Sequence, residues 1–313
     1  MKVLRFHETG GPEVLRYEDA ERPEPGAGEV RIRVAGSAFN PAYTGIRSGT
    51  LPFPVALPHT PGYDVAGTID AIGDGVTGLA LGDAVVGFLS MTADGSAAEY
   101  VVTPADVLTA APTSIPLADA AALPSIGLTA WQALFDEGGL TEGQRVLIVG
   151  AGGSVGGYAV QLAKRAGAYV IATASERSRA SVTDAGADEV IDHASTVLTD
   201  VVSEPVDLLL NLAPIEPAEF EALVALVRDG GTVVSTTAWM TTPGDESRDV
   251  SAHTVFVRSD VEQLAKLVEL VDGGELRVEV ARRVPLSELA EIHAQAATGT
   301  LRGKVIAIPD ADV

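Results

Sequence analysis

Val146-Leu147-Ile148-Val149-Gly150-Ala151-Gly152-Gly153-Ser154-Val155-Gly156 is the stretch that decides the fold. A buried strand runs into a glycine-rich turn, and Ala159-Val160-Gln161-Leu162-Ala163-Lys164 continues as a helix. Each glycine has a chemical reason here: one for the tight turn, one for close backbone approach to a pyrophosphate, one for helix-on-strand packing. Phosphates would meet free backbone N–H groups at the positive end of the helix dipole. The cofactor-binding candidates in this turn are Gly150, Gly152, Gly153, Ser154, Val155 and Gly156.

Working outward, strand and helix signals alternate. Strands are expected at 145–149, 169–173, 189–191, 206–210, 231–235 and 254–257, with helices near 154–166, 177–185 and 217–228. That rhythm is the mark of an α/β, doubly wound parallel sheet, a Rossmann fold binding a dinucleotide. Upstream, 116–123 and 129–135 read as Ala-rich helical sequence. Before about residue 112 the texture changes to short β-branched runs punctuated by Asp74-Gly75 and Gly82-Asp83, a small irregular β domain. Beyond Arg258, helices at 261–271 and 286–298 and a strand at 304–308 abandon the βα rhythm and are expected to rejoin the first domain. The division is therefore 1–119 with 258–313, and 120–257 for the dinucleotide domain.

The end of the second strand of the sheet selects the cofactor. A carboxylate there binds a ribose hydroxyl, whereas a 2′-phosphate needs small polar and cationic groups. Ser175 stands where the acid is expected, followed by Arg177 and Arg179, which favours NADPH. Glu176 is the counter-signal, one residue of register away.

Composition removes several chemistries. There are no cysteines, so disulfides, thiol nucleophiles and Cys-ligated metal centres are absent. The five histidines, His7, His59, His193, His253 and His293, show no metal-motif spacing, so no metal is expected. A net charge of −22 repels nucleic acid and anionic membrane alike. It fits either an ordinary acidic enzyme or adaptation to high salt, and composition leaves both open. No apolar run reaches membrane-spanning length and the chain opens on a charged strand-like segment, so a cytoplasmic location is expected.

Several runs resemble a known family: His7-Glu8-Thr9-Gly10-Gly11-Pro12-Glu13-Val14-Leu15, Asn40-Pro41, Ile46-Arg47-Ser48-Gly49, Pro61-Gly62-Tyr63-Asp64-Val65-Ala66-Gly67, Gly82-Asp83-Ala84-Val85, Ala122-Leu123-Pro124-Ser125-Ile126-Gly127-Leu128-Thr129-Ala130-Trp131 and Arg302-Gly303-Lys304. In this order and spacing the chain resembles the zinc-free quinone oxidoreductase branch of the medium-chain dehydrogenase/reductase superfamily. The resemblance implies a GroES-like β-barrel catalytic domain beside the Rossmann domain, and a homodimer formed through sheet edges, with Thr254-Val255-Phe256-Val257 as a pairing strand or else an internal one. It implies a zinc-independent, NADPH-dependent transfer of hydride to a small-molecule quinone or α,β-unsaturated carbonyl. An enoyl-thioester reductase and a non-catalytic NADPH-binding sensor or structural protein are the alternatives.

The family's zinc-dependent relatives use a Cys and a His-Glu pair; here Asn40 and Tyr63-Asp64 stand in those places. The resemblance makes Asn40 the leading polar contact near nicotinamide or substrate, or else a loop-capping amide, with Tyr43 and Arg47 as further catalytic candidates. Arg47 reads equally as a structural ion pair. Thr129, read as a helix start, either contacts the nicotinamide carboxamide or caps that helix. His193 stands where relatives commonly carry Tyr and is expected near the cofactor phosphates, and Asn211 replaces their usual Asp.

Overall fold

The computed structural model describes residues 1–51, 53–237 and 239–310, and the chain divides into two units, Met1–Ser125 with the chain from Ser259 onward, and Ile126–Arg258. In the first unit, β1 (Lys2–Phe6) and β2 (Leu15–Asp19) form an antiparallel pair. Next come β3 (Glu29–Ala38), α1 (Ala42–Ser48), β4 (Asp64–Ile72), β5 (Ala84–Phe88), β6 (Tyr100–Pro104) and β7 (Leu108–Ala110). β3 is the organising strand. Val30, Ile32 and Val34 are at most 1% exposed, and it pairs antiparallel with β4 along most of its length and with β6 over its first half. Register shifts between Arg31 and Ile32 and between Val34 and Gly36 bend it, as extra residues in one strand do.

In the second unit α2 (Pro124–Trp131) leads in, its first two residues still belonging to the first unit. A parallel sheet then takes β8 (Arg145–Val149), β9 (Tyr169–Ala174), β10 (Glu189–Asp192), β11 (Val206–Asn211), β12 (Val227–Ser235) and β13 (Ser251–Thr254) in the order β10-β9-β8-β11-β12-β13. The crossovers carry α3 (Ser154–Arg165), α4 (Arg179–Asp184), α5 (Leu198–Val201) and α6 (Pro217–Leu223). Val146 to Val149 are all at most 4% exposed, as a strand covered on both faces requires. Leu147, Leu209, Phe220 and Val233 anchor one of the cores against this sheet.

The chain then returns to the first unit with α7 (Val261–Asp272), β14 (Arg282–Pro285), α8 (Leu289–Ala297) and β15 (Val305–Ile308). β15 pairs antiparallel with the end of β3 and parallel with β14. Leu4, Phe6, Phe39, Leu289, Ile292 and Val305 meet in a core drawn from both ends of the sequence. Among the described residues no helix is long and apolar enough to cross a membrane.

Three expectations are corrected. The sixth parallel strand lies at Ser251–Thr254 rather than 254–257, because its partner β12 ends at Ser235, opposite Thr254. Val255 still donates to Ser235, and Phe256 then turns outward at 71% exposure. The second Ala-rich helix starts at Pro124, not Thr129, since proline suits a first helical turn that needs no N–H. It continues as a π-helical turn over Gln132–Glu137. The 116–123 run forms a 3-10 turn, Leu117–Ala122, which packs on β3 and β4.

Candidate functional site

The glycine turn follows β8 directly. Gly150 has φ +87°, a left-handed conformation that side chains disfavour, and a Cβ there would sit 2.9 Å from that of Ala213. Its N–H donates to Thr173 Oγ1 at 2.9 Å and the Ala151 N–H donates to the Thr173 carbonyl at 3.1 Å, so β9 holds the turn at two points. A Cβ on Gly156 would fall on the Ala151 backbone, so only glycine lets α3 start this close to the strand. Gly152 and Gly153 are exposed, Ser154 and Val155 half-buried, and the residue at the cap of α3, Gly153, has no side chain to cap it. Its first-turn N–H groups have no carbonyl within the helix to accept them. This cradle fits a pyrophosphate.

Apart from Thr129, the other nucleotide candidates also follow the C-terminal ends of parallel strands, where ligands of such sheets bind. Ser175 comes after β9, and its N–H donates to Ser178 Oγ at 3.1 Å. Ser178 in turn lies against Gly152, where a Cβ would collide with its hydroxyl, so the two loops are in contact. Arg177 is exposed, whereas Arg179 donates to the Val190 carbonyl at 2.9 Å and lies 3.7 Å from Glu176. Glu176 is exposed and paired to an arginine of its own loop. His193 follows β10 and lines a cavity of about 490 Å³ with residues 194–199, Glu219, Ala222 and Leu223. Asn211 is fully buried at the end of β11, its Oδ1 accepting from the Ala213 N–H at 3.3 Å. Thr129 is half-buried in the interior of α2, which corrects its reading as a helix cap.

In the first unit Asn40 is half-buried between β3 and α1. Its Oδ1 accepts from the Ala42 N–H at 3.1 Å and its Nδ2 donates to Ser125 Oγ at 3.4 Å. Behind Ser125 lies Asp64, 0% exposed. It accepts from the Ser125 N–H at 2.7 Å, the Ser125 hydroxyl at 2.6 Å and the Lys304 ammonium at 3.3 Å. Burial holds the Asp64 carboxyl above the ordinary aspartate range, an effect that Lys304 and the two Ser125 donors oppose only in part.

Tyr43 and Arg47 lie in the interior. Tyr43 stacks on Tyr63 with centroids 4.9 Å apart and faces His59 at 6.4 Å; burial raises both tyrosine pKa values. Arg47 is 1% exposed, and its Nε and Nη1 have no hydrogen-bond partner among the described residues. No ion pair to Arg47 occurs among the described residues, which corrects its reading as a structural salt bridge. Burial lowers its pKa, with Glu13 opposing. Burial and then the Arg47 charge push His293 down to about 3.

Sequence reading missed Thr173, Ser178 and the Ser125–Asp64–Lys304 chain. A hydroxyl at the end of the second sheet strand is a usable signal for Thr173; the chain spans separations that no local pattern reveals. No group of three or more His, Asp or Glu side chains arranged to hold a metal occurs among the described residues.

Residues 26–113 match the alcohol dehydrogenase GroES-like domain, and residues 185–306 match a family described as zinc-binding dehydrogenase. The chloroplast envelope quinone oxidoreductase homolog of Arabidopsis thaliana is 31% identical over 99% of this chain and 98% of its own. A quinone oxidoreductase structure from Coxiella burnetii superposes with TM-score 0.90 at 30% identity, covering 98% of this chain and 99% of the other. A mycobacterial protein solved in complex with NADPH superposes with TM-score 0.85 at 28% identity, covering 99% and 100%. A GroES-like domain and a Rossmann-type parallel sheet, matched end to end at this identity, show that the chain belongs to the quinone oxidoreductase branch of the medium-chain dehydrogenase/reductase superfamily, a family of oxidoreductases.

Proposed function

We propose that the protein is a zinc-independent, NADPH-dependent reductase of quinones or α,β-unsaturated carbonyls. The observation that carries this reading is the Asp64 carboxylate: it is held by Ser125 and Lys304 instead of being free to bind a metal, and beside it stands an amide rather than a thiolate, Asn40. Although one matched family is described as zinc-binding, this donor set offers zinc neither sulfur nor imidazole. Without a Lewis acid the accessible reaction is reduction of an acceptor that is already electron-poor.

Bound NADPH supplies the hydride. The chain's own residues do the rest. The amides of the 150–156 turn hold the pyrophosphate, and Ser175, Arg177 and Arg179 receive the 2′-phosphate. Arg179, fixed to Val190, sets the rim of that pocket and Arg177 is free to close on the phosphate. His193 flanks the phosphates and Thr129 contacts the carboxamide. Asn40 donates an N–H to the oxygen on which negative charge develops. The structure of a mycobacterial relative with NADPH supports the cofactor assignment. Two arms test the reading: fluorescence titration with NADPH and NADH, and NADPH oxidation against a panel of quinones and enones. Tighter NADH binding would sink the cofactor assignment; tight NADPH binding with no turnover on either panel would sink the catalytic one.

A further inference from the structure

We infer that Ser125, Asp64 and Lys304 are positioning residues that fix the polarity of the Asn40 amide, so that Asn40 can present only an N–H, never its carbonyl, to the acceptor. The inference rests on the proposed role of Asn40 and goes beyond it by assigning three residues that do not touch substrate.

Bond directions carry the argument. A backbone N–H can only donate, so the Asn40 atom facing the Ala42 N–H is Oδ1, and the opposite end, at Ser125, is Nδ2. Nδ2 can also only donate, so Ser125 Oγ accepts from it and must send its own hydrogen elsewhere. Asp64 Oδ2, 2.6 Å away, is where it goes. Asp64 Oδ1 takes the Ser125 N–H at 2.7 Å, which locks the serine backbone as well as its hydroxyl. Lys304, 5% exposed, is the cation that makes a fully buried carboxylate tolerable there. Reversing the amide would set Nδ2 against the Ala42 N–H, donor against donor. One Nδ2 hydrogen is thereby committed to Ser125 and the other is left for the acceptor's oxygen.

The protein has only two asparagines, Asn40 and Asn211, so selective 15N-Asn labelling gives two side-chain amide pairs. Asp64→Ala, which adds no asparagine and does not touch Asn40, is expected to shift the Asn40 pair and leave the Asn211 pair in place; an unmoved Asn40 pair overturns the relay. Should Asp64→Ala fail to fold, a double-mutant cycle decides. Asn40→Ala is expected to lower kcat about 100-fold, the scale of one lost oxyanion donor. Ser125→Ala is expected to lower it about tenfold with the NADPH Kd unchanged and Ser125→Thr largely restoring it. The double variant should be no slower than Asn40→Ala alone. Losses that multiply overturn the relay alone. Wild-type turnover in Asn40→Ala overturns the reading of the site, and the relay with it.

Discussion

Gly156 and Gly157 are neighbours in the first turn of α3, yet a methyl group is expected to have opposite effects on them. At Gly156 it meets the Ala151 backbone; at Gly157 nothing lies within 4 Å. Gly156→Ala should lose about 2 kcal/mol of stability through overpacking and weaken NADPH binding, whereas Gly157→Ala should gain about 0.5–1 kcal/mol from helix propensity. Urea unfolding with and without NADPH checks both. Arg177→Ala should weaken NADPH about tenfold and leave NADH unchanged, by loss of one charge-assisted contact to the 2′-phosphate. His293 gives a pH test. Its folded pKa, about 3, lies below the ordinary 6.5, so the unfolded chain binds the proton first. Its contribution is intact above pH 6.5 and is lost as pH falls toward 3, at up to about 1.4 kcal/mol per unit. His293→Phe should show a shallower loss of stability than wild type across pH 7 to 4. At this scale the glycine turn was legible because its backbone demands restrict the letters themselves. Asp64 was legible only as a substitution: its partners are 61 and 240 residues away, and nothing local marks them.

Among the elements, the π-helical turn Gln132–Glu137 shows what periodicity conceals. Gln132, 1% exposed, donates to the Arg258 carbonyl at 3.0 Å and accepts from its N–H at 3.1 Å, while the Arg258 guanidinium meets Asp136 at 2.7 Å. The two ends of the second unit's chain are thus fastened together. Gln132→Leu strips partners from a backbone donor and acceptor and is expected to lower stability by about 2 kcal/mol, measured by chemical denaturation. The sequence pattern located the helix but not its start or its π turn, because Ala-rich sequence favours helix throughout and the boundaries belong to Pro124 and to a distant backbone. β13 teaches the converse. Thr254-Val255-Phe256-Val257 has the better strand composition, yet strand pairing needs a partner, and β12 ends opposite Thr254.

For the whole molecule, charge and assembly are the testable properties. A net charge of −22 destabilises the compact state by self-repulsion, which salt screens. Raising NaCl from 0.05 to 1 M is therefore expected to raise Tm by about 5 °C or more, and an unchanged Tm would mean that the acidic surface carries no such strain. We propose that the protein is a homodimer, with β13, the last strand of its sheet, at the seam and exposed Phe256 beside it. Sedimentation should give twice 32.2 kDa, and Phe256→Asp should shift the population toward monomer.

The return of the chain to its first unit has a consequence for synthesis. The nucleotide-binding unit is continuous, Ile126–Arg258, and emerges from the ribosome as an uninterrupted piece. The first unit waits: β3 lacks β15, and Asp64 lacks the cation that completes its burial, until residue 304 has been translated. All of the middle unit is therefore synthesised before the first unit can be completed, although the first unit begins the sequence. A ribosome that stalls before Lys304 releases a chain in which Asn40 keeps Ala42 and Ser125 as partners while the buried Asp64 behind them has no cation.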